Sequence, residues 1–476
     1  MSLAALFEAE SVRLAREALP GVRAWIVGGA VRDALLGRPI VDVDLAVEGS
    51  PEEAARTIAR VGRGPSFELS AEFGAWRAMA RGKNGDGPLI CDVAPLQGAS
   101  IEEDLARRDF SVNAMAVPLE GGELIDPAGG AADVEARRLR VLPGAYEADR
   151  LRPLRLARLA TELGFEPDDD TAAATRAAAP RVPEASPERV FAELRRLMVA
   201  DRVVEGVTLA DRLGLLDAVM PEMRELKGVE QSRYHHLDVY DHTIEVLAQQ
   251  VAIEREPAAV FGEDLGAAVD AQLGRALSDE LNAWQALRFV ALLHDIAKPA
   301  TRGVLPDGRV TFMGHHEVGV EMIDSICARL RTSERLRAFL GAVTRYHLVL
   351  GFLVHERPLA RSTVYRYMKT CSPVELEVTV HSCADRLATR GDRADEAIAL
   401  HLELARELAA EALAWRERPP QPPVRGDELA RELGVAPGPE IGALLARLEE
   451  AAFAGEVATR DDAVALARRL RDNPEP

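Results

Sequence analysis

Aromatic residues make up only 5% of this 476-residue chain, and its four cysteines, Cys91, Cys327, Cys371 and Cys383, are scattered. No disulfide or metal-ligand spacing connects those thiols, so neither a stapled scaffold nor a cysteine-based metal module is expected. A charged-then-apolar leader is missing from the start of the sequence, and no apolar run is long enough to span a bilayer. These absences point to a reduced, cytoplasmic protein with no membrane partner. Positive charge is also in deficit, with 58 Lys and Arg against 77 Asp and Glu and a formal net charge of −19. Phosphate contacts need concentrated cations, so indiscriminate nucleic-acid binding is disfavoured and any such contact must be local. Local basic clusters exist at Arg107-Arg108, Arg137-Arg138-Leu139-Arg140, and Arg150, Arg152, Arg155 and Arg158.

What is abundant is Ala, Leu, Arg and Glu, a mixture that favours helix over sheet beyond the first part of the chain. The length suits three or four domains. The expected class is α+β: a small N-terminal head with a mixed sheet and helices over 1–145, an all-α neck over 146–215, a helical domain over 216–415 and a helical tail over 416–476. Ser2–Leu19 reads as one amphipathic helix ended by Pro20-Gly21, and Glu48–Arg60 as another helix. Within the neck, Ser186-Pro187 reads as a helix start with a capping serine, and Pro419-Pro420-Gln421-Pro422-Pro423 as a stiff linker before the tail.

The chain is organised around Ile26-Val27-Gly28-Gly29-Ala30-Val31-Arg32-Asp33, closed by Gly37 and followed by Val41-Asp42-Val43-Asp44-Leu45. The pattern predicts strand, Gly-Gly turn, helix, strand. Two glycines let the backbone approach an anion and aim N–H groups at it from a helix start, and Arg32 adds a planar cationic fork. On a strand, Asp42 and Asp44 share one face while Val41, Val43 and Leu45 share the other, giving two hard oxygen ligands that suit Mg²⁺. Taken alone, each half reads equally well as a tight turn or a solvated strand face; it is their spacing that joins them.

This string resembles the nucleotidyltransferase signature of the bacterial tRNA CCA-adding enzyme and poly(A) polymerase family, called class II. The resemblance implies that Asp42 and Asp44 bind catalytic metals and that Gly28, Gly29 and Arg32 meet a triphosphate. Asp92, on a strand (Leu89–Ala94) expected to pair beside that of Asp42, is a third candidate carboxylate, or an edge aspartate facing water. A hairpin turn is expected at Gly82–Pro88. The block Arg107-Arg108-Asp109-Phe110-Ser111 combines cations for phosphate with an acceptor for a ribose hydroxyl, and it resembles the family's second motif with Ser111 where threonine is usual. Asp126-Pro127-Ala128-Gly129-Gly130 resembles the third motif and reads equally well as a plain turn.

In the neck, Asp149 and Arg152 are three residues apart on an expected helix and so share a face. A carboxylate accepts from cytosine N4 or adenine N6 and a guanidinium donates to the neighbouring ring atom, which would select CTP and ATP. Arg155 and Arg158 continue that side toward phosphates. The stretch resembles the family's Glu-Asp-x-x-Arg motif, except that Ala148 stands at the glutamate position, which bears on switching between C and A. The helix beginning at Val190 resembles the fifth motif and reads as structural bracing.

From His235 onward the chemistry changes: most of the ten histidines recur here with aspartates, in the order of the HD phosphohydrolase domain. That resemblance implies metal ligation by His242, His294, Asp295 and Asp385, with His315 and His347 matching extra histidines of some members. The metal is left unspecified. In the tail, Leu433–Gly442 has a helix-hairpin-helix look suited to RNA and reads equally as a plain connection. The resemblance implies template-independent addition of CMP and AMP from CTP and ATP to the tRNA 3′ end, with poly(A), A-only or CC-only addition as alternatives within the class. HD phosphohydrolase activity on cyclic or terminal phosphates is the alternative from another class.

Overall fold

The computed structural model describes residues 3–71, 73–82, 88–231, 236–391 and 394–472. Most of the expected turn at Gly82–Pro88 and His235 therefore lie outside the described residues. By its internal contacts the chain forms two compact units, Met1–Val219 and Met220–Pro476.

The first unit is built on a six-stranded sheet of β1 (Ala24–Val27), β2 (Asp42–Val47), β3 (Ser66–Ser70), β4 (Ala75–Arg81), β5 (Pro88–Pro95) and β6 (Ala116–Pro118) in the order β3-β4-β5-β2-β1-β6. Only β2 and β5 run parallel; the other pairs are antiparallel. The alternation expected of β2 holds from Asp42 onward, where Val43, Leu45 and Val47 are buried. Helices Glu10–Ala18 and Pro51–Val61 pack on the sheet, which leaves the aspartates on the open side. Val41 falls outside the strand and is 70% exposed.

Two boundaries and one cap differ from expectation. The single helix over Ser2–Leu19 is two, Ala4–Glu8 and Glu10–Ala18, because Ala9 is extended at φ −60° and ψ 134°. The helix expected from Glu48 starts at Pro51, where the Ser50 side chain accepts from the Glu53 amide. Ser186 precedes the helix Pro187–Val199 but makes no side-chain cap bond.

Three helices carry the site chemistry in this unit: α1 (Gly29–Leu36), α2 (Arg152–Leu163) and α3 (Pro187–Val199). Pro153 sits in the first turn of α2, where a missing N–H costs nothing, so it starts the helix without kinking it.

The second unit is helical around α4 (Val239–Arg255), α5 (Ala283–Leu293), α6 (His315–Leu330), α7 (Glu334–Tyr346) and α8 (Glu375–Ala388). Residues 334–356 form a stretch long and apolar enough to cross a membrane by length and composition, but it packs on α6 and delivers a buried His347 to the interior. The tail helices Gly426–Leu433, Pro439–Ala454 and Arg460–Asp472 share their own apolar core, centred on Leu429, Leu448 and Ala463. Glu449 there accepts from Tyr365 Oη and Lys369 Nζ, which seats the tail on helix Arg361–Cys371.

Candidate active site and candidate metal centre

Sheet register builds the first site. Asp44 is the lateral partner of Asp92, and Asp92 that of Arg77, so the three lie in one row across β2, β5 and β4, with Asp42 two residues along β2 on the same face. Arg77 grips both oxygens of Asp92, Nε at 2.8 Å and Nη2 at 2.7 Å. Burial and the charge of Asp92 raise the pKa of Asp42. The same two causes push Asp44 up to about 6. Asp44 is nevertheless accessible from the cleft, so water screens part of that effect. Crowded carboxylates that resist ionisation beside one another form a site that gains from a hard cation, and Asp42, Asp44 and Asp92 offer only oxygen donors.

Above this row, β1 ends in Gly28 at φ 72°, a conformation that favours glycine. A Cβ there would lie 3.1 Å from Arg108 Nη1 and 3.6 Å from Asp44 Oδ2. Gly29 opens α1, and Arg32 is fixed by Asp33 and by Asn113 Oδ1 at 2.6 Å. Asn113 donates in turn to Asp109 at 3.0 Å, and Arg155 reaches the other oxygen of Asp109 at 3.2 Å. Burial opposes ionisation of Asp109, yet Arg155 and Asn113 hold its pKa below the usual carboxylate value. Together these groups line a cleft of about 640 Å³ with seven arginines and six carboxylates.

In the second unit, four helices and the turn after α5 converge on a buried cluster. His242 Nε2 lies 3.0 Å from Asp385 Oδ1, and His294 Nε2 lies 3.1 Å from Asp295 Oδ2. The other oxygen of Asp295 lies 3.3 Å from His315 Nε2, which is itself 3.3 Å from His347 Nε2. Two overlapping sets, His242/His294/Asp295 and Asp295/His315/His347, have metal-ligand spacing. The tautomers fit that use. His294, His315 and His347 each donate Nδ1–H to a backbone carbonyl three residues earlier, at 3.1, 2.7 and 2.6 Å, which leaves Nε2 with a lone pair facing inward. His294 Nε2 and Asp295 Oδ1 are buried without a hydrogen-bond partner among the described residues. Burial, then the neighbouring His294, drives the pKa of His347 down to about 3, so it stays neutral and free to ligate. The mixed imidazole and carboxylate donors suit a borderline divalent ion better than Mg²⁺.

Comparison with known proteins decides the family. The chain is 36% identical to the A-adding tRNA nucleotidyltransferase of Deinococcus radiodurans over 94% of its length and 95% of that protein. The chain belongs to the tRNA nucleotidyltransferase and poly(A) polymerase family. It is also 33% identical to the CC-adding tRNA nucleotidyltransferase of Thermus thermophilus, over 93% of this chain and 92% of that one. Residues 24–140 match the model of the poly A polymerase head domain, 164–226 that of a probable RNA and SrmB-binding site of polymerase A, and 239–390 that of the HD domain. Its fold is that of a CCA-adding enzyme solved with ATP, at TM-score 0.65 and 20% identity over 98% of each chain. The Thermotoga maritima CCA-adding enzyme complexed with tRNA gives TM-score 0.62 and 19% identity, again over 98% of each. Members of the nucleotidyltransferase and HD families are metal-dependent enzymes.

Within this family member, Gly28, Gly29, Arg32, Asp42, Asp44, Asp92, Arg108, Asp109, Arg152, Arg155 and Arg158 meet in one cleft. Arg107 does not join them: it caps helix Ile101–Ala106 and is exposed. Asp149 and Arg152 do not share a helix face. The helix Ala145–Ala148 ends at Asp149, which is extended, and Arg152 opens α2. Asp149 Oδ2 is taken by Arg189 at 2.6 Å and Oδ1 by the Leu151 amide at 3.0 Å, whereas Arg152 lines the cleft, its Nε buried and without a partner among the described residues.

The basic run Arg137–Arg140 is likewise partly turned inward. Arg138 and Arg140 clamp the buried Asp133, which also accepts from Ser111 at 2.6 Å. Asp126 caps the helix starting at Gly130 by accepting from the Gly130 and Ala131 amides. Helix α3, read as bracing, reaches the cleft as well: Glu193 accepts from Arg155 at 3.2 Å and from Arg158 at 2.5 Å. The sequence reading missed Arg77, Asn113 and Glu193. Only Arg77 had a usable signal, its place opposite Asp92 across the expected hairpin.

Proposed function

We propose that this chain adds CMP and AMP from CTP and ATP to the 3′ end of tRNA, in the cytoplasm and with Mg²⁺, and that the arginine-lined cleft over the Asp42/Asp44/Asp92 row is where it does so. That strand face carries the reading, because Asp44 and Asp92 side by side, with Asp42 two residues along on the same face beneath a glycine turn, suit a metal-bound triphosphate. Asp42 and Asp44 would hold the ions, whose charge, when bound, activates the primer hydroxyl and offsets charge at the transferring phosphate. The chain does the rest. Gly28 and Gly29 bring bare backbone to the phosphates, Arg32 and Arg108 orient them, and Asp109, held ionised, accepts from a ribose hydroxyl. Arg152, which lines the cleft, donates to the base. We assign transfer to a head over 1–145 and base recognition to a neck over 146–215, followed by an HD-type domain over 216–415 and a tail over 416–476.

The test is incubation of the purified protein with tRNA lacking one, two or three terminal residues, with each nucleotide supplied singly. Stepwise C, C, A addition supports the reading; incorporation that survives Asp42→Ala sinks it. A-only addition is the second reading, favoured by the 36% identity to an A-adding relative, and extension solely of CC-ended tRNA by ATP would establish it. The His/Asp cluster supports an additional activity, metal-dependent phosphoester hydrolysis. Phosphate release lost in His294→Ala and kept in Asp42→Ala is its signature; no release with Mg²⁺, Mn²⁺ or Ni²⁺ removes it.

A further inference from the structure

The buried cluster of the second unit contains one imidazole that neither the HD order nor the two ligand sets include. His381 lies on α8, one turn before Asp385, so the two share a helix face. It is fully buried, and neither Nδ1 nor Nε2 has a hydrogen-bond partner among the described residues. Burying an imidazole with both nitrogens unpaired is unfavourable unless something absent from the protein chain occupies one of them. The neighbouring histidines differ in kind. His294, His315 and His347 each have Nδ1 tied to a carbonyl, and the buried His401 is paired with Ser382 at 2.8 Å.

Its neighbours say where the missing partner sits. The His381 ring centre is 4.9 Å from that of His294, edge to face, and 6.4 Å from that of His347. Two imidazoles on one ion, with metal–nitrogen distances of about 2.1 Å, have ring centres roughly 4.5 to 6 Å apart. The His294–His242 separation of 6.0 Å falls at the edge of that range, and the His381–His347 separation lies outside it. His381 therefore lies beside His294, one turn before Asp385 and farther from His347, although the rings of His294 and His347 are themselves 5.3 Å apart.

We propose that His381 is a metal ligand of the second unit, facing the same borderline divalent ion as His294 and Asp385. This rests on reading the cluster as a metal centre, and the experiment separates the two. Full-length protein stripped with chelator is titrated with Co²⁺, following visible absorption, for the natural chain, His381→Leu and His381→Gln. Apparent affinity should fall at least tenfold in the Leu variant, with a changed visible band. Unchanged affinity and an unchanged band in that variant overturn the proposal. If the natural chain binds no ion, the metal reading of the cluster fails, and His381 with it.

Should the Leu variant lose its circular dichroism signal, ¹⁵N-histidine spectra of the natural chain titrated with Zn²⁺ decide instead. A His381 ring nitrogen that shifts together with that of His294 supports ligation. A His381 signal that stays put while His294 moves overturns it.

Discussion

The two sites assemble carboxylates by opposite routes. In the first unit Asp42, Asp44 and Asp92 come from two adjacent parallel strands, accessible from a cleft and answered by arginines. In the second, Asp295 and Asp385 are brought together with histidines from four helices; Asp295 is buried, Asp385 is 24% exposed, and both line a pocket of about 480 Å³ and are answered by imidazoles. An accessible oxygen-only site suits an ion that arrives with its substrate and leaves with the product. A buried imidazole site suits one that stays.

That contrast breaks most visibly at Asp44. Asp44→Ala should lower nucleotide incorporation by about a thousandfold or more, while the metal content of the purified protein, read by mass spectrometry, stays as it was. Loss of both together would mean the sites are not separate. Glu193→Ala should be the largest stability effect: it removes the acceptor that α2's Arg155 and buried Arg158 share, leaving them Asp109 and Glu162, and the loss of a charged hydrogen-bond partner costs about 2 kcal/mol. Urea unfolding of the first unit measures it, and a loss under about 1 kcal/mol would show that solvent already screens the pair.

Arg77→Ala releases Asp92 without touching the β2 aspartates, and a 10- to 100-fold loss of incorporation is expected, partly recovered by Arg77→Lys. No loss would return Asp92 to the role of an edge residue. The smallest effect is that of pH. The carboxyl of Asp44 is raised to about 6 by burial and by Asp92, so the folded protein keeps a proton that the unfolded chain gives up near 3.8. The stability this lends the metal-free protein is complete below about pH 3.8 and gone above about 6. Metal binding runs the other way. Apparent Mg²⁺ affinity at the cleft, followed by calorimetry, should fall about tenfold from pH 7 to pH 5; a flat profile would mean that water holds Asp44 near its ordinary value.

What the sequence disclosed follows the range of each contact. Gly28 to Asp44 could be read because a strand, a turn and a helix are fixed by neighbours within one short segment, and Asp92 because strand alternation left it one face to occupy. Arg77 escaped notice because only the register of the β4–β5 hairpin sets it against Asp92. The Asp149/Arg152 pair was misread for a physical reason. Helical spacing assumes an unbroken helix, and the break at Asp149 turns its carboxylate to Arg189. Glu193 looked like one more acid on an amphipathic helix until α2 supplied its two partners. His381 was silent because burial, the property that singles it out, has no local signature.

Gly28 gives the cleft a property that the charges alone do not. There a Cβ would meet a cation and an anion at once, Arg108 Nη1 at 3.1 Å and Asp44 Oδ2 at 3.6 Å. The smallest side chain would already fill the space between that arginine and that aspartate. A substitution at this position would therefore remove no charged group and still behave like a tethered inhibitor, one present in every molecule and impossible to wash away.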